Sequence, residues 1–229
     1  MLARSQTALL LGASRGLGLG LAREYLLRGW RVIATARDNA KQLETLAKDA
    51  KDRLRIERVD IADADGVAAL RETIGEEKLD LLFVVAGISG SVPAPLHEVS
   101  PDEAARVFLI NAYYPIAAAE ALVDLLRPDA TVAFMSSRLG SIALNDYGSW
   151  ETYRLSKAAL NMGARSFFHR HPAHAVLSIA PGWVRTDMGG PAATFDVETS
   201  CRNVANAIAT HAGKPGSRYV NYDGTELPW

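Results

Sequence analysis

The chain has 229 residues, 48% hydrophobic and 22% charged, a globular balance that excludes long disorder, a collagen repeat and a coiled coil. Lys and Arg total 25 against 26 Asp and Glu, a net charge of -1, so no overall basic excess points to nucleic acid or an anionic membrane surface. The lone cysteine, Cys201, excludes an intrachain disulfide framework and fits a reducing, cytoplasmic setting. The start, with Arg4 and the apolar run Ala8 to Leu11, resembles a signal peptide only weakly, because the run is too short. No apolar stretch is long enough to read as a transmembrane helix; Ala104 to Leu126 comes nearest, interrupted by Arg106, Asn111, Pro115, Glu120 and Asp124.

Apolar runs and helical patterns alternate along the chain. Thr7 to Leu11 is a buried-strand pattern, and Leu17 to Arg28 a helix ended by Gly29. Arg31 to Ala36 is the second strand, Asn39 to Ala50 a helix, Arg55 to Val59 a strand, and Asp65 to Ile74 a helix closed near Gly75. Leu79 to Val85 is a continuous apolar strand, followed by a loop with Gly87, Gly90, Pro93 and Pro95. Ser100, Pro101, Asp102 and Glu103 read as a helix start, and that helix is predicted to run to about Leu126 with a bend tolerated at Pro115. Ala130 to Met135 is a strand, Ser149 to about His169 a long helix, Ala175 to Ala180 a strand, Thr199 to His211 a helix and Arg218 to Asn221 a last strand. Strands joined by helical crossovers predict one doubly wound α/β domain over residues 1–229, with a seven-stranded, mainly parallel sheet and helices on both faces. Ligands of such sheets bind beyond the carboxyl ends of the strands, which places the chemistry after Leu11, Ala36, Val59, Val85, Met135 and Ala180.

The first strand runs into Gly12-Ala13-Ser14-Arg15-Gly16-Leu17-Gly18. Glycines at a strand-to-helix turn allow a close backbone approach, and the helix that follows aims free N–H groups at the same point, which suits a pyrophosphate; a turn that only packs well is the plainer alternative. The second strand ends Ala36-Arg37, where NAD-selective folds place an acid for the ribose hydroxyl. Arg37, with Arg15 from the glycine loop, suits a 2′-phosphate instead, although Asp38 is placed to neutralise Arg37. Asp60 and Ile61 follow the third strand, and Asp60 reads equally well as a turn residue.

Tyr153 and Lys157 are four apart, so on a helix they share a face. A phenol is a poor proton donor or acceptor at neutral pH, and a neighbouring ammonium is expected to lower its pKa. Ser136 and Ser137 end the fifth strand, where a hydroxyl can hold a substrate oxygen. Asn111 sits inside the long helix, a poor place for asparagine, so something must compensate it. The sixth strand ends Ala180-Pro181-Gly182-Trp183-Val184-Arg185-Thr186-Asp187, a sharp loop. His169, His171 and His174 straddle Pro172 and read as a solvated connector, so no metal is expected.

The glycine loop, the Tyr-x-x-x-Lys pair and the Pro-Gly loop together resemble the short-chain dehydrogenase/reductase family, over essentially the whole chain. The resemblance implies a Rossmann-type fold, an NADP(H)-dependent enzyme interconverting a carbonyl and an alcohol, and a catalytic set of Asn111, Ser137, Tyr153 and Lys157. In the family the tyrosine exchanges the proton, the serine holds the substrate oxygen, the lysine holds the nicotinamide ribose, and the asparagine supports a water relay. The implied cofactor-binding residues are Gly12, Ser14, Arg15, Gly16, Leu17, Gly18, Arg37, Asp60, Ile61, Ala86, Gly87, Tyr153, Lys157, Pro181, Val184 and Thr186. NADP(H) is expected to be preferred over NAD(H).

Several positions depart from the family pattern. Leu11 replaces a common threonine, so a loop-stabilising contact is expected to be missing, and Val84 and Val85 replace two asparagines that brace the sheet. Ser137 lies farther from Tyr153 than in most members, which leaves Ser141 as a rival by counting. That wider gap, the run Gly182 to Gly190 and the tail Asp223 to Trp229 resemble the branch holding the carbonyl reductase sniffer and C-factor. The segment about 187–198 is expected to be a short substrate cover. The helices starting at Asp102 and Ser149 match family dimerisation elements, so a homodimer or homotetramer is expected. The other function class is a C-factor-like signalling or interaction protein that binds nucleotide without requiring turnover.

Overall fold

A computed structural model describes residues 5–90 and 94–229. Arg4, at the signal-like start, and Pro93, in the loop after the fourth strand, lie outside the described residues. The strands are β1 (Thr7–Leu11), β2 (Arg31–Ala36), β3 (Leu54–Arg58), β4 (Leu79–Val84), β5 (Leu126–Met135), β6 (Ala175–Ala180) and β7 (Gly216–Asn221). They form a seven-stranded sheet in the order β3-β2-β1-β4-β5-β6-β7. Every pairing in it is parallel. The order reverses between β1 and β4, which opens a crevice at their carboxyl ends.

The helices divide between the faces according to the two-residue period of the strands. Ala8 and Leu10 of β1 pack with Leu21 and Tyr25 of α1 (Gly16–Leu27), Leu43 of α2 (Lys41–Ala50) and Val204 and Ile208 of α7 (Val197–His211). Leu9 and Leu11 face the other way, toward Val67 and Leu70 of α3 (Ala64–Ile74), Leu122 of α5 (Tyr114–Leu122), and Leu160 and Phe167 of α6 (Glu151–Arg170). All of β1 is buried, as a central parallel strand covered on both faces requires, and each such leucine contributes roughly 1.5–3 kcal/mol.

The long helix predicted from Ser100 to Leu126 is three pieces. Ser100 caps α4 (Pro101–Phe108), accepting from Glu103 N at 3.2 Å, as its sequence indicates. A π-helical turn follows over Leu109–Tyr113, and α5 then starts with Pro115 in its first turn. Pro115 has no N–H for the Asn111 carbonyl four residues back, so the regular α ladder fails there. This helical run, Pro101–Leu125, is long and apolar enough to cross a membrane by length and composition; here Val107, Ala112, Ala119 and Leu122 are buried in the protein.

β5 begins at Leu126, four residues before the expected start, because Leu126 pairs with Leu79 ahead of a register shift. α6 begins two residues later than predicted, because Trp150 takes a left-handed conformation with φ 62°. α7 begins two residues earlier, at Val197, capped by Asp196, which accepts from Thr199 N at 2.7 Å. The histidine stretch is solvated only in part: His169 and Pro172 are exposed as expected, while His171 and His174 are packed. His171 Nε2 lies 2.7 Å from Glu120 Oε2, Arg170 pairs with the same carboxylate, and His174 is buried.

Candidate active site

The glycine loop is shaped by what it cannot accommodate. Gly12 has φ +90°, and a Cβ there would lie 2.8 Å from the Ala86 nitrogen. A Cβ on Gly18 would lie 2.2 Å from the Gly12 carbonyl oxygen. Gly12 N donates to Thr35 Oγ1 at 3.0 Å, and Ala13 N to Thr35 O at 2.7 Å. The contact expected to be missing at Leu11 is thus supplied from β2, by the one polar side chain of a buried run. Val85 N and Ala86 N both donate to Leu11 O, at 2.9 and 3.0 Å, so main-chain bonds tie β4 to the loop where the family's two asparagines are replaced. α1 carries no side-chain cap and no acid in its first turn. A cradle too tight for any Cβ, facing an uncapped helix start, fits a dinucleotide pyrophosphate. Leu17 packs against the core beneath, and Ser14 is half-buried in the loop.

At the end of β2, Arg37 is exposed and paired with Asp38 at 2.8 Å and with Asp60 at 3.8 Å. Asp60 also accepts from Ala62 N at 3.0 Å, so it makes the turn as well, and Ile61 is buried behind it. Arg58, which the sequence reading passed over, reaches the same corner and donates to the Asp38 carbonyl. Arg15 pairs with Asp187 at 2.8 Å, linking the glycine loop to the loop after β6. Thr186 lies against that loop too, 3.5 Å from where a Gly16 Cβ would sit. Val184 is buried and bridged to Phe195, Thr186 Oγ1 accepts from Gly189 N at 3.1 Å, and the Pro181 carbonyl accepts from Ser200 Oγ at 2.8 Å.

Tyr153, Ser137, Lys157 and Asn111 converge beyond β4 and β5. Ser137 caps a 3-10 turn, its hydroxyl accepting from Leu139 N at 3.2 Å, and stands near enough to the Tyr153 hydroxyl to favour its ionised form. Lys157 Nζ donates to Met135 O at 2.8 Å and lies 5.6 Å from the Tyr153 ring centroid. Gly87 is the floor where these groups meet, since a Cβ there would stand 3.2 Å from Asn111 Oδ1 and 3.3 Å from Lys157 Nζ. Burial dominates the electrostatics. It pushes the Tyr153 phenol up to about 12, against a smaller lowering by Ser137. It pulls the Lys157 ammonium down to about 7. The expected lowering of the phenol by its lysine neighbour is not found: the loss of water dominates at both groups, and the one lowering influence on Tyr153 comes from Ser137.

Asn111 sits in the π turn, fully buried. Its Oδ1 accepts from Ile88 N at 2.8 Å, and Nδ2 donates to Ile88 O at 2.7 Å and to Ser156 Oγ at 3.0 Å. Both amide N–H groups are thus engaged within the protein, and the main-chain carbonyl receives no α-helical bond from Pro115, which has no N–H. Ser156, inside the Tyr-x-x-x-Lys motif but missed by the sequence reading, passes the link to α6 by donating to Tyr153 O at 2.7 Å. The rival Ser141 is committed elsewhere, donating to Pro228 O at 2.6 Å. Among the described residues no group of His, Cys, Asp and Glu is placed to hold a metal.

Comparison with known proteins shows the family and the fold. The family described as short chain dehydrogenase matches residues 6–196. The C-signal of Myxococcus xanthus is 41% identical over 155 residues, spanning 66% of this chain and 93% of that protein. A short-chain dehydrogenase/reductase from Burkholderia multivorans with bound NADP superposes with a TM-score of 0.96 at 41% identity, over 99% of this chain and 100% of that one. The carbonyl reductase Sniffer of Drosophila melanogaster superposes at 0.88 with 33% identity, over 99% and 100% of the two chains.

Proposed function

This chain belongs to the short-chain dehydrogenase/reductase family, and we propose that it is an NADP(H)-dependent carbonyl reductase of the sniffer branch with Tyr153 as its general acid and base. The observation that carries this reading is the convergence of half-buried Tyr153 with Ser137 and buried Lys157 beyond the carboxyl ends of β4 and β5. When bound, NADP(H) supplies or accepts the hydride at the carbonyl carbon. The glycine loop and the α1 start hold its pyrophosphate, and Lys157 the nicotinamide ribose. Tyr153, protonated at neutral pH, donates its proton to the carbonyl oxygen in reduction and takes it back in oxidation. Ser137 orients that oxygen. Lys157 and the Asn111 carbonyl lead the proton out toward water.

Arg37, Arg15 and the absence of an acid at Ala36 support a preference for the 2′-phosphate, as does NADP in the Burkholderia relative. Arg37→Ala is expected to raise KM for NADPH about tenfold and leave KM for NADH unchanged. An equal rise for both would remove the phosphate role. Ser137→Ala should cost on the order of a hundredfold in kcat. Ser141→Ala should stay within about threefold of the parent and lower only Tm, through the lost hydrogen bond. The reverse ranking would transfer the role to Ser141.

The cover after β6 is brief and pinned at its base, with Arg185 N donating to Phe195 O at 2.8 Å and Phe195 N to Trp183 O at 2.9 Å. Trp183 and Met188 are exposed on it, which supports an open, apolar cleft accepting varied carbonyls. Phe108, Leu109 and Tyr113 on one helical run and Leu155 and Met162 on α6 are also exposed, which supports a homodimer through these helices; light scattering tests it. The deciding experiment is NADPH oxidation with a panel of aldehydes, ketones and quinones, using NADH and Tyr153→Phe as controls. Turnover lost in the variant supports the reading, and failure to bind either nucleotide overturns it. The similarity to C-signal supports a second reading, a signalling or interaction protein that binds nucleotide without requiring turnover. A developmental phenotype that survives Tyr153→Phe would favour it.

A further inference from the structure

Ser137 is held from a direction that its own loop does not supply. Its carbonyl accepts from Gly140 N at 2.8 Å, inside the 3-10 turn, and also from the hydroxyl of Tyr219 on β7, 82 residues away. Tyr219 is 1% exposed. Around it lies a closed polar set: Ser136 Oγ donates to Asn161 Oδ1 at 2.7 Å, and Asn161 Nδ2 to Gly140 O at 3.3 Å. The segment after β7 then turns back at Gly224, whose φ is +86°, with Asp223 Oδ1 accepting from Thr225 N at 3.1 Å and Thr225 Oγ1 at 2.6 Å. Leu227 N donates to Tyr219 O at 2.8 Å, and the Trp229 ring stacks on the Tyr219 ring with centroids 5.5 Å apart and planes 27° apart. The same segment grips the serine loop directly, since Ser141 Oγ donates to Pro228 O at 2.6 Å and Ala143 N to Trp229 O at 3.2 Å.

We propose that Tyr219, clamped by the stacked Trp229, is a positioning residue for Ser137: its hydroxyl fixes the Ser137 carbonyl and thereby the direction in which the Ser137 hydroxyl meets Tyr153 and the substrate oxygen. The inference rests on the catalytic reading of Ser137 given above. A main-chain carbonyl with two donors converging on it has little freedom to rotate, and the peptide it belongs to carries the hydroxyl. Without the phenol, Gly140 alone holds that carbonyl, within a single short turn. A small misplacement of a group that contacts the reacting oxygen slows the chemical step more than it weakens binding.

The test is a double-mutant cycle between Tyr219→Phe and Ser137→Ala, read as kcat and KM for a carbonyl that the parent reduces with NADPH, with enzyme in excess for the slow variants. Tyr219→Phe is expected to lower kcat about tenfold and change KM less than twofold in the parent, and to lower kcat less than twofold when Ser137 is already alanine. Trp229→Ala should reproduce the loss and Trp229→Phe, which keeps a ring on Tyr219, should restore most of it. An equal loss in both serine backgrounds, or no loss in the parent, overturns the inference, because Tyr219 would then be acting on general stability or on nothing. A Ser137→Ala variant as fast as the parent would overturn the catalytic reading instead, and the positioning role with it. Thermal unfolding of Tyr219→Phe separates these outcomes from misfolding, and a variant that does not fold leaves Trp229→Phe against Trp229→Ala to decide.

Discussion

Tyr153→Phe should lower kcat for carbonyl reduction at least a thousandfold while leaving the NADPH dissociation constant within about threefold of the parent. The phenylalanine keeps the ring that packs beside Lys157 and removes only the hydroxyl next to Ser137. General acid catalysis is commonly worth a factor of 10²–10⁴, and no other side chain described beside Ser137 and Lys157 is placed to substitute as the donor. With its pKa near 12 the hydroxyl is fully protonated across the neutral range, so the proton is present whenever a carbonyl arrives. Single-turnover kinetics with nucleotide binding followed by fluorescence would check both halves. Retained turnover would mean that another group delivers the proton.

Lys157→Met should act in opposite directions on activity and stability. Turnover should fall at least a hundredfold, since the ammonium beside the Tyr153 ring and the expected hold on the ribose are both lost. Stability at pH 7 should rise. The folded-state pKa of Lys157 is depressed from 10.5 to about 7, so between those values the unfolded chain binds the proton and the folded one does not. Unfolding takes up a proton in that window, and stability of the parent therefore increases with pH across it. Below about pH 7 the full burial penalty applies, roughly 5 kcal/mol; above 10.5 it is absent. Methionine removes the penalty but also the bond to Met135 O and some packing, so a net gain of about 2 kcal/mol is expected at pH 7. The advantage should shrink as pH approaches 10. Urea unfolding of both proteins at pH 7 and pH 10 measures it, and a destabilised variant at pH 7 would show that the folded protein does not hold this charge at a cost.

The sequence was most informative where local periodicity and the chemistry agree. Tyr153 and Lys157 are neighbours by helical spacing alone, and the glycines of the first loop mark their turn because no side chain fits there. Ser137 was harder. Its distance from Tyr153 did not separate it from Ser141, and what does separate them is Pro228, 87 residues farther on, which occupies the Ser141 hydroxyl. A similar distance hid Tyr219, 82 residues from Ser137, and Asn161, though nearer in the chain, meets the serine loop only when α6 packs on it. The break in the long helix was written in Pro115, yet its form, a π turn that buries Asn111, follows from how that segment packs. Arg37 is legible as a charge, but its pairing with Asp38 and Asp60 is a matter of rotamers and the corner they share. The pKa shifts of Tyr153 and Lys157 come from burial, which no spacing rule contains.

The central place of β1 has a consequence for how the chain comes together during synthesis. Its neighbour β2 follows within the next 25 residues, but its other neighbour, β4, ends at Val84. Until that strand is made, one edge of Thr7–Leu11 carries unpaired backbone groups on a segment that is apolar from Ala8 to Leu11, the kind of edge that recruits strands from other chains. Ala86, against which the Gly12 turn is fitted, comes later still. The nascent protein thus passes through a stage with a sticky open edge and no finished nucleotide cradle, so nucleotide cannot shield it. Slow pairing of distant parallel strands prolongs that stage. Yield of soluble protein should accordingly respond to translation rate and to chaperones that cover apolar strands more than to the supply of nucleotide.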